Sequence, residues 1–237
     1  MRIGQFEILA LNRLDGTSFR ERKINSDMYL QVKDGESYAI VVNVYRNHVS
    51  NDFPADDLMF DLFIDGQNVG YRHSAAFSTF DRTAPPQCYM RKIQTALFKG
   101  FRHEKNEIRS FIFKVGSIPD LPNIKRKAAP DSPEIKMGTI QLVVRRLSYY
   151  KNKPWCNSAI APETKINEKG TAVASATIAG QRLNDVKVAK AYAFPSPGPP
   201  LATLMLTYHN AVVLNNLRTL SQQASLSKQG SLAKLPV

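Results

Sequence analysis

The chain has 237 residues and a mass of 26.6 kDa, enough for one large domain or one domain with long appendages. Hydrophobic residues make up 43% and charged residues 22%, so an ordinary core can form and disorder of the whole chain is excluded. Two cysteines and four histidines exclude a clustered Cys/His zinc site and a disulfide-stapled small fold, while a formal charge of +12 points to an acidic partner.

The charge is unevenly placed. Residues 1–90 hold 9 Lys+Arg against 12 Asp+Glu, and residues 91–237 hold 23 against 8. The basic character therefore belongs to the later part. It reads either as a solvated surface or as a face that lies against nucleic acid, an anionic membrane or an acidic protein neighbour. Arg2, Glu7, Arg13 and Asp15 interrupt any apolar leader, and the chain has no N-x-[ST] sequon. Synthesis in the cell interior without secretion is expected. The longest stretch free of charged residues, 191–217, is broken by Pro195, Pro197, Pro199 and Pro200, so no transmembrane segment is expected.

Short strands separated by turns fill the first part of the chain. Gln5–Ala10 alternates, with Phe6, Ile8 and Ala10 on one face. Tyr29–Val32 is followed by Asp34-Gly35 and then by the apolar run Tyr38–Tyr45. Leu58–Ile64 is followed by Asp65-Gly66 and then by Asn68–Tyr71. Asp-Gly pairs tolerate positive φ, so both read as tight hairpins. Further strands are expected over 88–101, 108–115 and 139–147. A helix over 88–99 is the alternative, since Met90, Ile93 and Leu97 share a helical face. Gly100 and the aromatic content favour strands. The pattern predicts an all-β fold: an antiparallel β-sandwich, jelly-roll-like, over residues 1–150.

The remainder reads as extended segments. Pro119, Pro122, Pro130 and Pro133 make a loop, with Lys125, Arg126 and Lys127 near its centre as a candidate contact patch. Residues 151–200 form a basic extension of small residues that ends in the stiff run Pro195–Pro200. Residues 201–237 are a terminal strand, Leu201–Tyr208, plus a polar tail expected to be disordered in the isolated chain. Leu204 and Leu206 face one way on that strand, either as a core strand or as a docking arm. Tyr149, Tyr150 and Trp155 interleave with Lys151 and Lys153 as candidate interface anchors or stacking residues.

Catalytic signatures do not appear. There is no Gly-rich phosphate loop, no G-x-S-x-G elbow and no H-E-x-x-H. Asp61–Gly66 fails as a calcium loop, because Phe63 stands where a ligand is needed. Catalytic residues, metal ligands and cofactors are all expected to be none.

The runs Tyr38–Val44, Phe60–Tyr71, Arg109–Phe113 and Met137–Arg145 resemble an uncharacterised all-β module of fungal proteins and of large DNA viruses, including viruses of algae. The resemblance covers roughly residues 5–147 and carries no catalytic residues. It implies a non-enzymatic minor capsid, or cement, protein of a large icosahedral virus. Its partners would be capsid proteins or other virion subunits, and its location the virion. The alternative is a basic β-domain that binds nucleic acid through residues 91–237.

Overall fold

The computed structural model describes residues 1–45, 57–75, 92–104, 107–118, 138–147, 172–184 and 199–232. The strands are β1 (Arg2–Ile3), β2 (Phe6–Asn12), β3 (Arg20–Ile24), β4 (Asp27–Val32), β5 (Ser37–Tyr45), β6 (Asp57–Ile64), β7 (Gln67–Ala75) and β8 (Lys92–Phe98). They continue with β9 (Gly100–Glu104), β10 (Glu107–Ile118), β11 (Thr139–Leu147), β12 (Ala172–Arg182) and β13 (Pro200–Asn210), and a helix α1 (Ala211–Leu232) follows. The all-β expectation holds: these strands form a sandwich of two sheets.

The first sheet runs β1-β2-β5-β10-β12. Into it, β8 and β9 insert as a wedge. Ile40 to Tyr45 of β5 pair with β8, Glu107 to Ser110 of β10 pair with β9, and Tyr38 meets Phe111 directly where the wedge ends. The wedge needs Gly100. A Cβ on that residue would lie 1.9 Å from the Arg109 carbonyl oxygen, so only glycine lets the two backbones approach. The strand reading of 88–99 holds for its described part, Lys92–Phe98, and the helix alternative falls.

The second sheet runs β3-β4-β13-β11-β6-β7. All its pairings are antiparallel except that of β4 with β13. Alternation decides which side chains enter the core. Phe6, Ile8 and Ala10 point inward from β2, as the sequence predicts, and Tyr38, Ile40, Val42 and Val44 do so from β5. They meet Phe60, Leu62 and Ile64 of β6, Ile140, Leu142 and Val144 of β11, and Leu204, Leu206 and Tyr208 of β13.

The two Asp-Gly turns behave differently. Asp65-Gly66 closes the β6–β7 hairpin, with φ of 51° and 74° and Ile64 opposite Gln67. Both central residues at positive φ define the two-residue turn that matches strand twist. Asp34-Gly35 does not close a hairpin. β4 belongs to the second sheet and β5 to the first, so this turn carries the chain across the sandwich. Gly35 N–H donates to the Phe113 carbonyl (2.8 Å), and Asp34 Oδ1 accepts from Val115 N–H (2.8 Å). An Asp-Gly pair permits the reversal without dictating that the flanking strands pair.

Two further expectations are revised, and the open choice for Leu201–Tyr208 between core strand and docking arm resolves to a core strand. The sandwich does not stop at residue 150, because β12 lies in the segment read as an extension and pairs along the length of β10. Its small side chains fit their surroundings: Ala179 and Thr177 stand opposite Phe111 and Phe113, whose rings already fill that space. Leu201–Tyr208 is an interior strand, held between β4 and β11. The polar tail, expected to be disordered, continues from β13 as a 22-residue helix. Asn210 Oδ1 accepts from Val213 N–H (2.9 Å) and caps it, and the sequence then runs without proline or glycine as far as Gly230.

Candidate functional site: the Asp65 junction and helix α1

Of the candidate interaction residues, Lys125, Arg126, Lys127, Tyr149, Tyr150 and Trp155 lie outside the described residues. Leu204 and Leu206 are brought together, but in the core. Leu204 is opposite Leu142 and Leu206 opposite Ile140, with 0% and 5% exposure. They pack inside the sandwich and are not surface contacts. The residue that β13 turns outward between them is Met205, at 43% exposure.

The densest polar arrangement is one that turn chemistry alone does not disclose. Asp65, the first residue of the β6–β7 turn, is buried with its carboxylate aimed into the sandwich. Its Oδ1 accepts from Gly138 N–H (2.7 Å) and Thr139 N–H (3.1 Å) at the start of β11. Its Oδ2 accepts from Thr177 N–H (2.8 Å) on β12, across the layers. Tyr208 O–H reaches both oxygens, at 2.9 and 2.8 Å. A second polar tier follows: Thr177 Oγ1 lies 2.7 Å from the Tyr208 hydroxyl and 2.8 Å from that of Tyr38. Both tyrosine rings pack on Phe113, with centroids at 4.0 Å for Tyr38 and 4.8 Å for Tyr208.

The electrostatics of this junction follow from burial. With no cation among its partners, burial pushes the Asp65 carboxyl up to about 6, against the opposing pull of the Thr177, Tyr208, Thr139 and Gly138 donors. Burial likewise raises the Tyr208 and Tyr38 hydroxyls well above the ordinary tyrosine range. The junction is closed to solvent and fastens β6–β7, β11, β12 and β13 together. Its chemistry is that of a structural clamp.

Two other polar groups lie on outer faces of the sheets. Asp61, buried on β6, is shared by Arg72 of β7 and Arg145 of β11. Glu7 Oε2 accepts from Asn43 Nδ2 and Tyr45 O–H, both at 2.7 Å, while Arg2 stacks 3.9 Å above the Tyr45 ring. The first pairs opposite charges across neighbouring strands, and the second satisfies a carboxylate with neutral donors.

Helix α1 packs against β3, β4 and β13. Leu214 is buried there, although it lies outside the main core cluster, and Ser221 contacts Asn25 at the β3–β4 turn. Beyond that point Gln222, Gln223 and Ala224 are exposed, as are Val212 and Leu220 nearer the start. Arg218 on α1 and Arg20 and Lys23 on β3 also face solvent.

Among the described residues, no group of three or more His, Cys, Asp or Glu side chains is placed to hold a metal, and no helix is long and apolar enough to cross a membrane. The chain matches no family model, no curated protein and no solved structure.

Proposed function

We propose that this chain is a structural, non-enzymatic protein that cements neighbouring subunits of a shell, as a minor capsid protein of a large DNA virus. The observation that carries the structural reading is α1. It is 22 residues long and so spans about 33 Å at 1.5 Å per residue. Its last described side chain turned toward the sandwich is Ser221, halfway along. Helices in proteins draw most of their stability from packing one face. The segment that follows Ser221, whose described side chains Gln222 and Gln223 are exposed, is thus suited to lie on a neighbouring subunit, with the sandwich as a rigid base. The viral setting rests on the sequence resemblance.

The test removes the arm and keeps the base. Truncation after Ser221 is expected to preserve the β-sheet circular dichroism and the unfolding midpoint. Recovery of the protein with purified virions should fall at least tenfold. Undiminished recovery removes α1 as the anchor, and absence of the full chain from virions removes the viral reading.

The second reading is a nucleic-acid-binding domain acting through residues 91–237, favoured by the excess of 23 Lys+Arg over 8 Asp+Glu there, with Arg218 exposed on α1. Binding would then weaken with salt, with a log–log slope of about −0.9 for each phosphate neutralised. A flat salt dependence eliminates it.

A further inference from the structure

We propose that the Asp65 junction is a protonation-controlled latch between the two sheets, closed more tightly when Asp65 is neutral than when it is ionised. The geometry says where the proton goes. Both lone-pair directions of Oδ1 are taken by the Gly138 and Thr139 N–H groups of the second sheet. Oδ2 accepts only one backbone donor, Thr177 N–H of the first sheet, and otherwise faces the Tyr208 hydroxyl at 2.8 Å. A proton on Oδ2 therefore points at the Tyr208 oxygen.

The hydroxyls beyond can reverse to receive it. With Asp65 ionised, the chain runs from Tyr38 to Thr177 to Tyr208 to the carboxylate, each O–H donating to the next oxygen. With Asp65 neutral, it runs the other way, from Asp65 to Tyr208 to Thr177 to Tyr38. The spacings of 2.8, 2.7 and 2.8 Å serve both directions. All three backbone N–H groups keep their acceptor in either state. What differs is the charge, which is buried with no counter-ion among the described residues, and the Tyr38 O–H, which gives up Thr177 Oγ1 as its acceptor when Asp65 is neutral.

Among the described residues, the groups facing Asp65 are all uncharged. Tyr38 of β5, Thr177 of β12 and Tyr208 of β13 bring hydroxyls, β11 brings backbone N–H groups, and β10 brings the Phe113 ring. His209, the nearest histidine along β13, lies beside Gly138 and is held below its usual range by burial. No cation among the described residues offsets the carboxylate.

The direction of the linkage is fixed. Asp65 titrates near 6 when folded and at an ordinary 3.8 when unfolded. Its contribution is complete below the unfolded value and is lost as the pH rises through the folded one. Between those values the unfolding constant rises about tenfold per pH unit, about 100-fold in all.

The test is carbon-13 NMR of the full chain labelled at aspartate carboxyls. The Asp65 resonance is expected to titrate with a midpoint near 6. Tyr208→Phe, which removes a donor to the anion, should move that midpoint upward. In parallel, urea unfolding of the unsubstituted protein at pH 4.5 and 7, compared with Asp65→Asn, should show the extra loss of stability on the alkaline side. A midpoint at or below 4 overturns the latch, and this readout stands even where a substituted chain fails to fold.

Discussion

Asp65→Ala is expected to unfold the sandwich or bring it close to unfolding. The substitution strands three backbone N–H groups, those of Gly138, Thr139 and Thr177, together with the Tyr208 hydroxyl. A buried donor left unsatisfied costs about 1–3 kcal/mol. Alanine at the turn's φ of 51° adds further strain. Four such donors and about 1–2 kcal/mol of strain sum to about 5–14 kcal/mol, comparable with the entire stability of a typical domain, about 5–15 kcal/mol. Asp65→Asn should cost less, since asparagine tolerates that φ and keeps one acceptor oxygen. Its amide N–H₂ would still oppose donors on the other side. Urea unfolding followed by circular dichroism measures both. A loss below about 1 kcal/mol for the alanine variant would show that the four donors find other acceptors and that Asp65 is not the clamp.

Gly100→Ala should be nearly as damaging, for a steric reason. The added carbon would meet the Arg109 carbonyl oxygen at 1.9 Å and its carbon at 2.6 Å, both backbone atoms. No rotamer relieves such a clash. The β8–β9 wedge must shift away from β10, breaking the pairing of Gly100 with Ser110. A cost of about 3 kcal/mol or more is expected, above the usual range for an overpacked core. Gly35→Ala is the control. Gly35 has φ of 77°, but a Cβ added there would meet nothing within 4 Å, so only conformational strain of about 1–2 kcal/mol applies. Equal losses at the two positions would contradict the steric account.

The sequence discloses most about elements whose partners are local. The alternation Phe6-Ile8-Ala10 and the turn Asp65-Gly66 are legible because period and turn chemistry sit within a few residues. Asp34-Gly35 looks the same locally, yet its neighbours join different sheets, and that choice depends on β10 and β13 far along the chain. β12 is hidden for a related reason. A strand that packs beside phenylalanines needs small residues, and Ala172–Gly180 then lacks the apolar mass that usually marks a core strand. The role of Asp65 is invisible, since its partners Thr177 and Tyr208 lie 112 and 143 residues away. Nothing in an Asp-Gly turn distinguishes a solvated aspartate from one directed inward. Leu204 and Leu206 are correctly placed on one face of a strand, but sequence alone leaves open whether that face meets a neighbour or the chain's own core. The helix escapes notice because its polar residues resemble a low-complexity tail, while its cap, Asn210, lies inside the preceding strand.

The position of β13 has a consequence for how the molecule comes into being. This strand separates β4 from β11, pairing in parallel with Tyr29–Val32 and antiparallel with residues near Thr139–Arg145. Until residue 210 has left the ribosome, those two strands have no bridge, and each presents a bare row of amides and carbonyls. The second sheet is therefore completed only once β13 has been made, by closing a loop of well over a hundred residues. Long-range closure of this kind slows folding, and the unpaired edges invite pairing with other chains in the interval. Nascent chains stalled before β13 should depend on chaperones far more than the finished sandwich does.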